Sequence, residues 1–461
     1  MLRERTHTGA PSWAWMRRLA GLAAWGVLVG AIAVGAAAEQ ASPRQAHSDV
    51  ELIQEIDLED FGSSTGLRLG DLTGDGRLDF ALAQHENQNV TCITAMDFMG
   101  EILWQEGTPD RSNISTHHDL PIQIYDLTGD GANEVIYITD GRIRVRAGAT
   151  GALLKEGELP AANANDAITL ADLAGNGRAE EILVKDRYNQ IWALGRDFEV
   201  LWTFRSPGNI AHFPWPHDIT GDGHDEVLIG PFALDRDGVE LWFAEDFPED
   251  RHSDGTAVGD VTGDGQVEIA IASCNPEVVL VDREGALLWK NDVRHAQHAI
   301  IGDFRPDLPG LEVAVLDRDT DRSAQGEDAI IIYGADGETL WHEERTDEGS
   351  GRWLSVITQV PPDWDGEAGD LILGYRRGGA LPPTLYDGHG RVVAEFPFPN
   401  PGPSSLAQHG DILGDGRREI VVWDGRLLQI YTNAAKPAGE RAETREPDKR
   451  LYNYTHYIGM P

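Results

Sequence analysis

"YDLTGDGANEV", Tyr125 to Val135, recurs along the chain with small changes, from "GDLTGDGRLDF" at Gly70 to "GDILGDGRREI" at Gly410. The first Asp of each copy falls at Asp71, Asp126, Asp172, Asp218, Asp260, Asp303, Asp363 and Asp411, at intervals of 55, 46, 46, 42, 43, 60 and 48 residues. Internal repeats of that length belong to solenoids and propellers. Between the copies lie short apolar runs such as "DFALAQ", "VTCITAMD" and "EILWQE", divided by Gly, Asp and Asn turns and lacking a helical period. Four short strands per unit predict propeller blades. A second marker, Gly-x-x-Leu-Trp or a close variant, ends at Trp104, Trp242, Trp289 and Trp341 and reads as an outer fourth strand entered through a Gly turn.

The last unit supplies "EIVVWD" and "LLQIYT" but no fourth strand, while "VELIQEIDL" from Val50 precedes the first unit with no partner. Pairing the two closes the ring and removes exposed strand edges. The sequence therefore predicts an all-β fold, a single β-propeller over residues 39–432 with an N-terminal closing strand. Eight blades are favoured; seven is the alternative, because the units at Asp303 and Asp363 are degenerate.

The 461 residues are 41% hydrophobic and 25% charged, a globular balance. Residues 1–38 stand apart: a basic stretch ending Met16-Arg17-Arg18, then an apolar run from Leu19 to Ala38 closing on Ala36-Ala37-Ala38. This reads as a signal peptide for export to a periplasmic or extracellular location; a membrane association follows only if the run stays as an uncleaved anchor. Formal net charge is −39, and losing four Arg and one Glu with the signal makes it −42. Such acidity argues against nucleic acid as a partner and suits carboxylates neutralised by a bound cation. The two cysteines, Cys92 and Cys274, read as buried free thiols and not as a bridge. Residues 433–450 are polar and Pro-containing, hence a linker. Residues 451–461, "LYNYTHYIGMP", are aromatic enough to dock on the propeller.

In the copy at Asp126, oxygen ligands alternate: Asp126, Thr128, Asp130, the carbonyl of Ala132, and Glu134, with Gly129 and Gly131 permitting the tight turn. The twelfth place of an EF-hand would need a bidentate Glu and is Tyr137. The loop is a calcium-type turn between strands or a bare, hydrogen-bonded Asx turn. The corresponding calcium candidates are Asp71, Asp75 and Asp79; Asp126, Asp130 and Glu134; Asp218, Asp222 and Glu226; Asp260, Asp264 and Glu268; and Asp411, Asp415 and Glu419. The copy at Asp172, with Ala174 and Asn176, is the weakest of the set.

The repeat resembles integrin-like (FG-GAP/VCBS) propellers and, among them, propeller polysaccharide lyases. "RHAQHAIIGDFRPDLPGLEVAVLDR", Arg294 to Arg318, is similar to a segment of the rhamnogalacturonan lyases. The resemblance implies a carbon-oxygen lyase acting on an acidic polysaccharide or oligosaccharide of rhamnose and uronate, working as a monomer. β-Elimination needs a group that offsets the C6 carboxylate, a base near C5 and an acid at O4. Since the Asp-Gly loops occupy one face of the disc, the chemistry is expected on the other. His118, His252 and His295 each lie eight residues before their motif Asp, in register beside the central channel. The second-to-third-strand turns add His85, Arg187 with Tyr188, Asn275 and Arg376 with Arg377. His118 and His85 are the candidates for base and acid, with Tyr188 as substitute acid. Arg187, Asn275 and Arg376, with His252 and His295, are the candidates for binding substrate. Two rivals stay open: a glycan-binding or adhesion propeller, and a glycoside hydrolase using carboxylates such as Glu86 and Asp119.

Overall fold

The computed structural model describes residues 49–436 except 64–65, 87–88, 114–119, 245–246, 248–252, 274–276, 319–327, 346–355, 366, 368, 376–381 and 400–404. The expectations for residues 1–38, 451–461 and Cys274 lie outside the described residues. Strands are numbered β1 to β32 in chain order, and the described residues form no helix. They make eight antiparallel four-stranded sheets, seven of them from four consecutive strands. The eighth runs β30 (Leu406–Gly410), β31 (Glu419–Trp423), β32 (Leu427–Asn433), then β1 (Val50–Asp57) as its outer strand. The molecule is thus an eight-bladed β-propeller closed by its N-terminal strand. The seven-blade alternative falls because both degenerate units fold completely, as β22 (Ala296–Gly302) to β25 (Thr339–Arg345) and β26 (Val356–Val360) to β29 (Val392–Glu395). The propeller extends one residue past the expected end: Asn433 pairs with Val50, and its buried side chain donates to the Trp364 carbonyl.

Burial follows position in the blade. Second strands such as Glu134–Thr139, Glu268–Ser273 and Glu312–Asp317 are buried throughout, being covered on both faces by neighbouring blades. They are accordingly runs of Val and Ile without polar alternation. Fourth strands such as Val200–Arg205 alternate between exposed and half-buried. Cys92 lies buried in β4 (Asn89–Met96) as a free thiol, and burial raises its pKa.

The Asp-Gly motifs join first to second strands in tightly bonded loops. The Asp126 carboxylate accepts the N–H groups of Gly129 and Asp130 on Oδ1 and of Gly131 on Oδ2, and Glu134 Oε2 accepts those of Leu127 and Thr128. Gly129 and Gly131 sit at φ 80° and 87°, where side chains are disfavoured. Adjacent loops are stitched together: Asn133 Nδ2 donates to the Asp71 carbonyl, Asp225 N to that of Asp172, Leu311 N to that of Val261 and Leu78 N to that of Ile412.

The Trp marker is explained by the seams between blades. Trp104 donates from Nε1 to the Gly148 carbonyl of the next blade, Trp202 to Arg236, Trp242 to Arg283 and Trp289 to Ala335. Each ring lies over a glycine in the next blade's third-to-fourth-strand turn: Gly151, Gly238, Gly285 and Gly337, all at positive φ. One seam reverses the roles. Lys155 stands where Trp would, donating to the Arg196 carbonyl, and its ammonium lies 4.8 Å from the Phe198 ring centroid. Phe198 replaces the turn glycine and holds φ 64°. A bulky residue there is strained by about 1–3 kcal/mol. The double substitution Lys155→Trp with Phe198→Gly should therefore raise stability by about 1 kcal/mol, and Lys155→Trp alone, meeting the Phe198 ring, should lower it. Denaturant melts of both variants check this.

Candidate active site

The pairing of Tyr125 with Glu134 and of Gly259 with Glu268 places the Asp-Gly loops at one end of the first two strands. The entry to the first strand and the second-to-third-strand turn lie at the other end, as expected. Two layers of polar side chains meet there in the third to sixth blades.

In the third blade, Asp186 Oδ1 accepts the N–H groups of Asn189 and Gln190, so this carboxylate holds the turn. Arg187 pairs instead with Asp166, Nη1 to Oδ1 at 3.1 Å. Lys185, fully buried, reaches the other oxygen of Asp166 at 3.0 Å. Burial alone would push the Asp166 carboxyl up, but the Lys185 and Arg187 charges outweigh it and hold the pKa at about 2. The Arg187 guanidinium lies 5.3 Å from the Tyr188 ring centroid, and that ring meets His212 edge-on at 5.5 Å.

His212, in the entry to the fourth blade, is 1% exposed. Its Nε2 stands 3.1 Å from Asp254 Oδ1, on the fifth blade. The other oxygen of Asp254 is 2.8 Å from Nε2 of His295, on the sixth. Asp254 is itself 1% exposed, while the His295 side chain keeps 16%. Beside them Arg318 Nη1 donates to Gln297 Oε1 at 2.6 Å and its backbone N–H to the His295 carbonyl. Asp317 accepts the backbone N–H groups of Arg294 and His295 and pairs with the Arg294 guanidinium at 3.0 Å. On this described part of the rim, Lys185, Arg187, Arg294 and Arg318 stand against Asp166, Asp186, Asp254 and Asp317. This described part is near neutral, because buried cations persist only with partners.

Asp166, His212, Asp254 and Gln297 were not identified as a set by the sequence reading, yet each lies six residues before its motif Asp. That register was the available signal. The same counting places His295 two residues further out, in the more accessible layer. Tyr188 and Arg187 occupy the expected turn. His85 does not: it lies in β3 (Asp79–Glu86), 2% exposed, because a register shift after Gln84 extends that strand toward the turn. Its carbonyl accepts Asn113 Nδ2 at 3.1 Å. His118, His252, Asn275, Arg376, Arg377 and Asp119 lie outside the described residues.

Replacing Asp166 tests the buried network. Asp166→Asn leaves Lys185 uncompensated and should cost about 3–5 kcal/mol at neutral pH. The folded pKa is depressed from 3.8 to about 2, so the stabilisation is present above pH 4 and is lost as pH falls toward 2. Melts of wild type and variant should converge over that window.

The geometry can be set beside known proteins. Residues 244–371 match the rhamnogalacturonan lyase family 11 C-terminal domain. That stretch contains Asp254, His295, Gln297 and Arg318, and it bears out the resemblance to propeller polysaccharide lyases read from Arg294 to Arg318. No curated protein sequence matches the chain. Among solved structures, the exotype rhamnogalacturonan lyase YesX is similar with TM-score 0.59 and 20% identity, covering 80% of this chain and 72% of that one. The Bacillus licheniformis rhamnogalacturonan lyase PL11 gives TM-score 0.59 and 20% identity over 86% of this chain and 75% of that one. The V. cholerae biofilm matrix protein Bap1 gives 0.60 and 14% over 88% and 94%. At these identities the similarity shows the propeller fold alone.

Proposed function

We propose that this protein is an exported polysaccharide lyase that cleaves an acidic, uronate-containing glycan, of the rhamnose and uronate class, by β-elimination, acting as a monomer. The observation that carries the reading is the convergence of Arg187, Tyr188 and His295 on the rim opposite the Asp-Gly loops, within and next to the stretch that matches the lyase family domain. Arg187, with Asn275 and Arg376, offsets the C6 carboxylate and the enolate-like charge that grows as C5 loses its proton. His118 and Tyr188 share the proton transfers at C5 and O4, while His85, buried inside β3, does not reach the substrate directly. His252 and His295 complete the sugar-binding rim. Incubating the protein with a panel of uronate glycans should give absorbance near 235 nm, roughly where an unsaturated uronate absorbs. If every glycan is bound and none yields that product, the binding propeller replaces the enzyme.

We also propose that calcium is a structural cofactor of the Asp-Gly loops. Asp126, Asp130 and Glu134 bring carboxylate oxygens within 4.8 Å of one another. Among the described residues this is the one Asp-Gly loop whose three carboxylates gather so closely. At Asp415 and Glu419 a guanidinium is already present, Arg417 at 3.1 and 3.6 Å, and at Asp126 Oδ2 Arg178 stands 3.5 Å away, a contact that a bound ion would displace. At Asp79, Oδ1 turns to the Phe98 N–H. Burial raises the pKa of Glu134, a cost that a bound cation offsets. Exhaustive chelation should lower the melting temperature, because a metal bound only by the folded chain stabilises it by mass action. An unchanged melt together with metal-free elemental analysis would sink this proposal.

A further inference from the structure

We propose that Lys185 is a positioning residue for acid binding at the third blade: it neutralises Asp166 and anchors the rim turn, which leaves the charge of Arg187 to face the sugar carboxylate. This rests on the lyase reading, in which Arg187 meets the uronate, and adds the buried group that gives Arg187 its hold on an acid.

Strand pairing creates the arrangement. Lys185 ends β11 (Glu181–Lys185) opposite Ala167, which opens β10 (Ala167–Ala171), and Asp166 is the residue before that strand. Lys185 Nζ donates to Asp166 Oδ2 at 3.0 Å and to the Arg187 carbonyl at 2.9 Å. Asp166 Oδ1 accepts Arg187 Nη1 at 3.1 Å. The three residues form a closed ring that holds Arg187 by its backbone and its guanidinium together. The turn beyond is fixed as well, with the Asp186 N–H on the Gln190 carbonyl at 3.0 Å, the Ser206 N–H on that of Asn189 at 2.9 Å and the Ile210 N–H on that of Tyr188 at 2.8 Å.

The two cations differ in access. The Lys185 side chain is fully buried and cannot touch a sugar, whereas Arg187 keeps 21% of its side chain exposed. Both share one carboxylate, Asp166. Asp186, the other carboxylate of this turn, accepts neutral donors: the Asn189 and Gln190 N–H groups on Oδ1 and the Asn163 amide on Oδ2 at 3.2 Å. Without Lys185, Asp166 cancels Arg187. With it, the ring of three carries one positive charge whose accessible end is the guanidinium. A lysine that only compensated a buried carboxylate would need no second bond, and the one it makes goes to the residue that bears the accessible cation. A charge fixed in place before the ligand arrives attracts an acid without first ordering a side chain.

Galacturonate and glucuronate monosaccharides carry the C6 carboxylate but no leaving sugar at O4, so they bind without turnover. Their binding is followed by proton–nitrogen shifts of the labelled full chain, with galactose and glucose as uncharged controls and melting curves to establish that each variant is folded. Lys185→Gln, which keeps a donor and loses the charge, should weaken both acids by about tenfold or more, the scale of one unit charge several ångströms from the ligand, and leave the neutral sugars unchanged. Lys185→Gln combined with Asp166→Asn removes both buried charges, which folded chains tolerate better than the loss of one, and should bind the acids within about threefold of wild type. A folded double variant as weak as Lys185→Gln would make Lys185 a structural part only and overturn the proposal, as would a wild type that binds neither acid. Lys185→Gln that binds the acids like wild type, while Arg187→Ala loses them, also overturns it and leaves the lyase reading standing. If Arg187→Ala binds the acids unchanged, the proposal and the uronate-binding role of Arg187 fall together. If the acids bind as stated but no glycan gives an unsaturated product, the lyase reading falls alone, and Lys185 serves a binding propeller.

Discussion

Deleting residues 50–57 should abolish the cooperative unfolding transition of the propeller and drive the chain into aggregates. β1 is the outer strand of the last blade, paired from Val50 with Asn433 to Asp57 with Leu427. Its side chains also make the last seam: Ile56 packs against Gly100 of the first blade, where Trp104, Lys155, Trp202, Trp242, Trp289 and Trp341 serve at other seams. Gln429 Nε2 donates to Glu55 Oε2 at 2.7 Å. The residues that follow, Leu58 and Phe61, are buried in the core cluster shared by the seventh, eighth and first blades. Deletion exposes both that core and the β32 edge, and an exposed, apolar edge recruits other chains. Ile56→Ala, a milder change at 6% exposure, should cost about 2–4 kcal/mol. Adding a peptide of residues 50–57 to the truncated chain should recover part of the transition. A truncated chain that melts like wild type would mean the ring closes elsewhere.

His118→Ala, assayed on a cleavable glycan, should cut turnover by about a hundredfold or more, the scale of a general acid or base. Arg187→Ala should raise KM as well as lower kcat, because the guanidinium attracts the uronate in ground and transition states alike. His224→Ala is the control. His224 lies in an Asp-Gly loop on the opposite face, its Nδ1 2.9 Å from the Leu173 carbonyl and its Nε2 2.7 Å from Arg236 Nη1. Its loss should leave turnover nearly unchanged. Equal losses from both faces would misplace the site.

The blade count, the closing strand and the face opposite the Asp-Gly loops were legible because each depends on local chemistry repeated at a fixed interval. A Gly-rich turn, a Val and Ile run and an unpaired terminal strand are written in adjacent residues. The Trp marker was legible as a marker only: its partner, the turn glycine, lies in the next blade, as in Trp104 with Gly148 and Gly151. The reversed seam of Lys155 and Phe198 shows why a departure from the repeat is uninterpretable alone, since each residue compensates the other across two blades.

At the candidate site, the sequence placed Arg187, Tyr188 and His295 at one end of the blades. It did not decide their partners. Asp186 adjoins Arg187 in the chain, yet the turn claims Asp186 through two backbone N–H groups, and Arg187 turns to Asp166. Asp254 is anonymous in the chain, and only the ring of blades brings it between His212 and His295 from either side. The physical reason is burial: a carboxylate removed from water must find donors at hydrogen-bond distance, and which donors are there is set by the packing of neighbouring blades, not by the residues beside it in sequence.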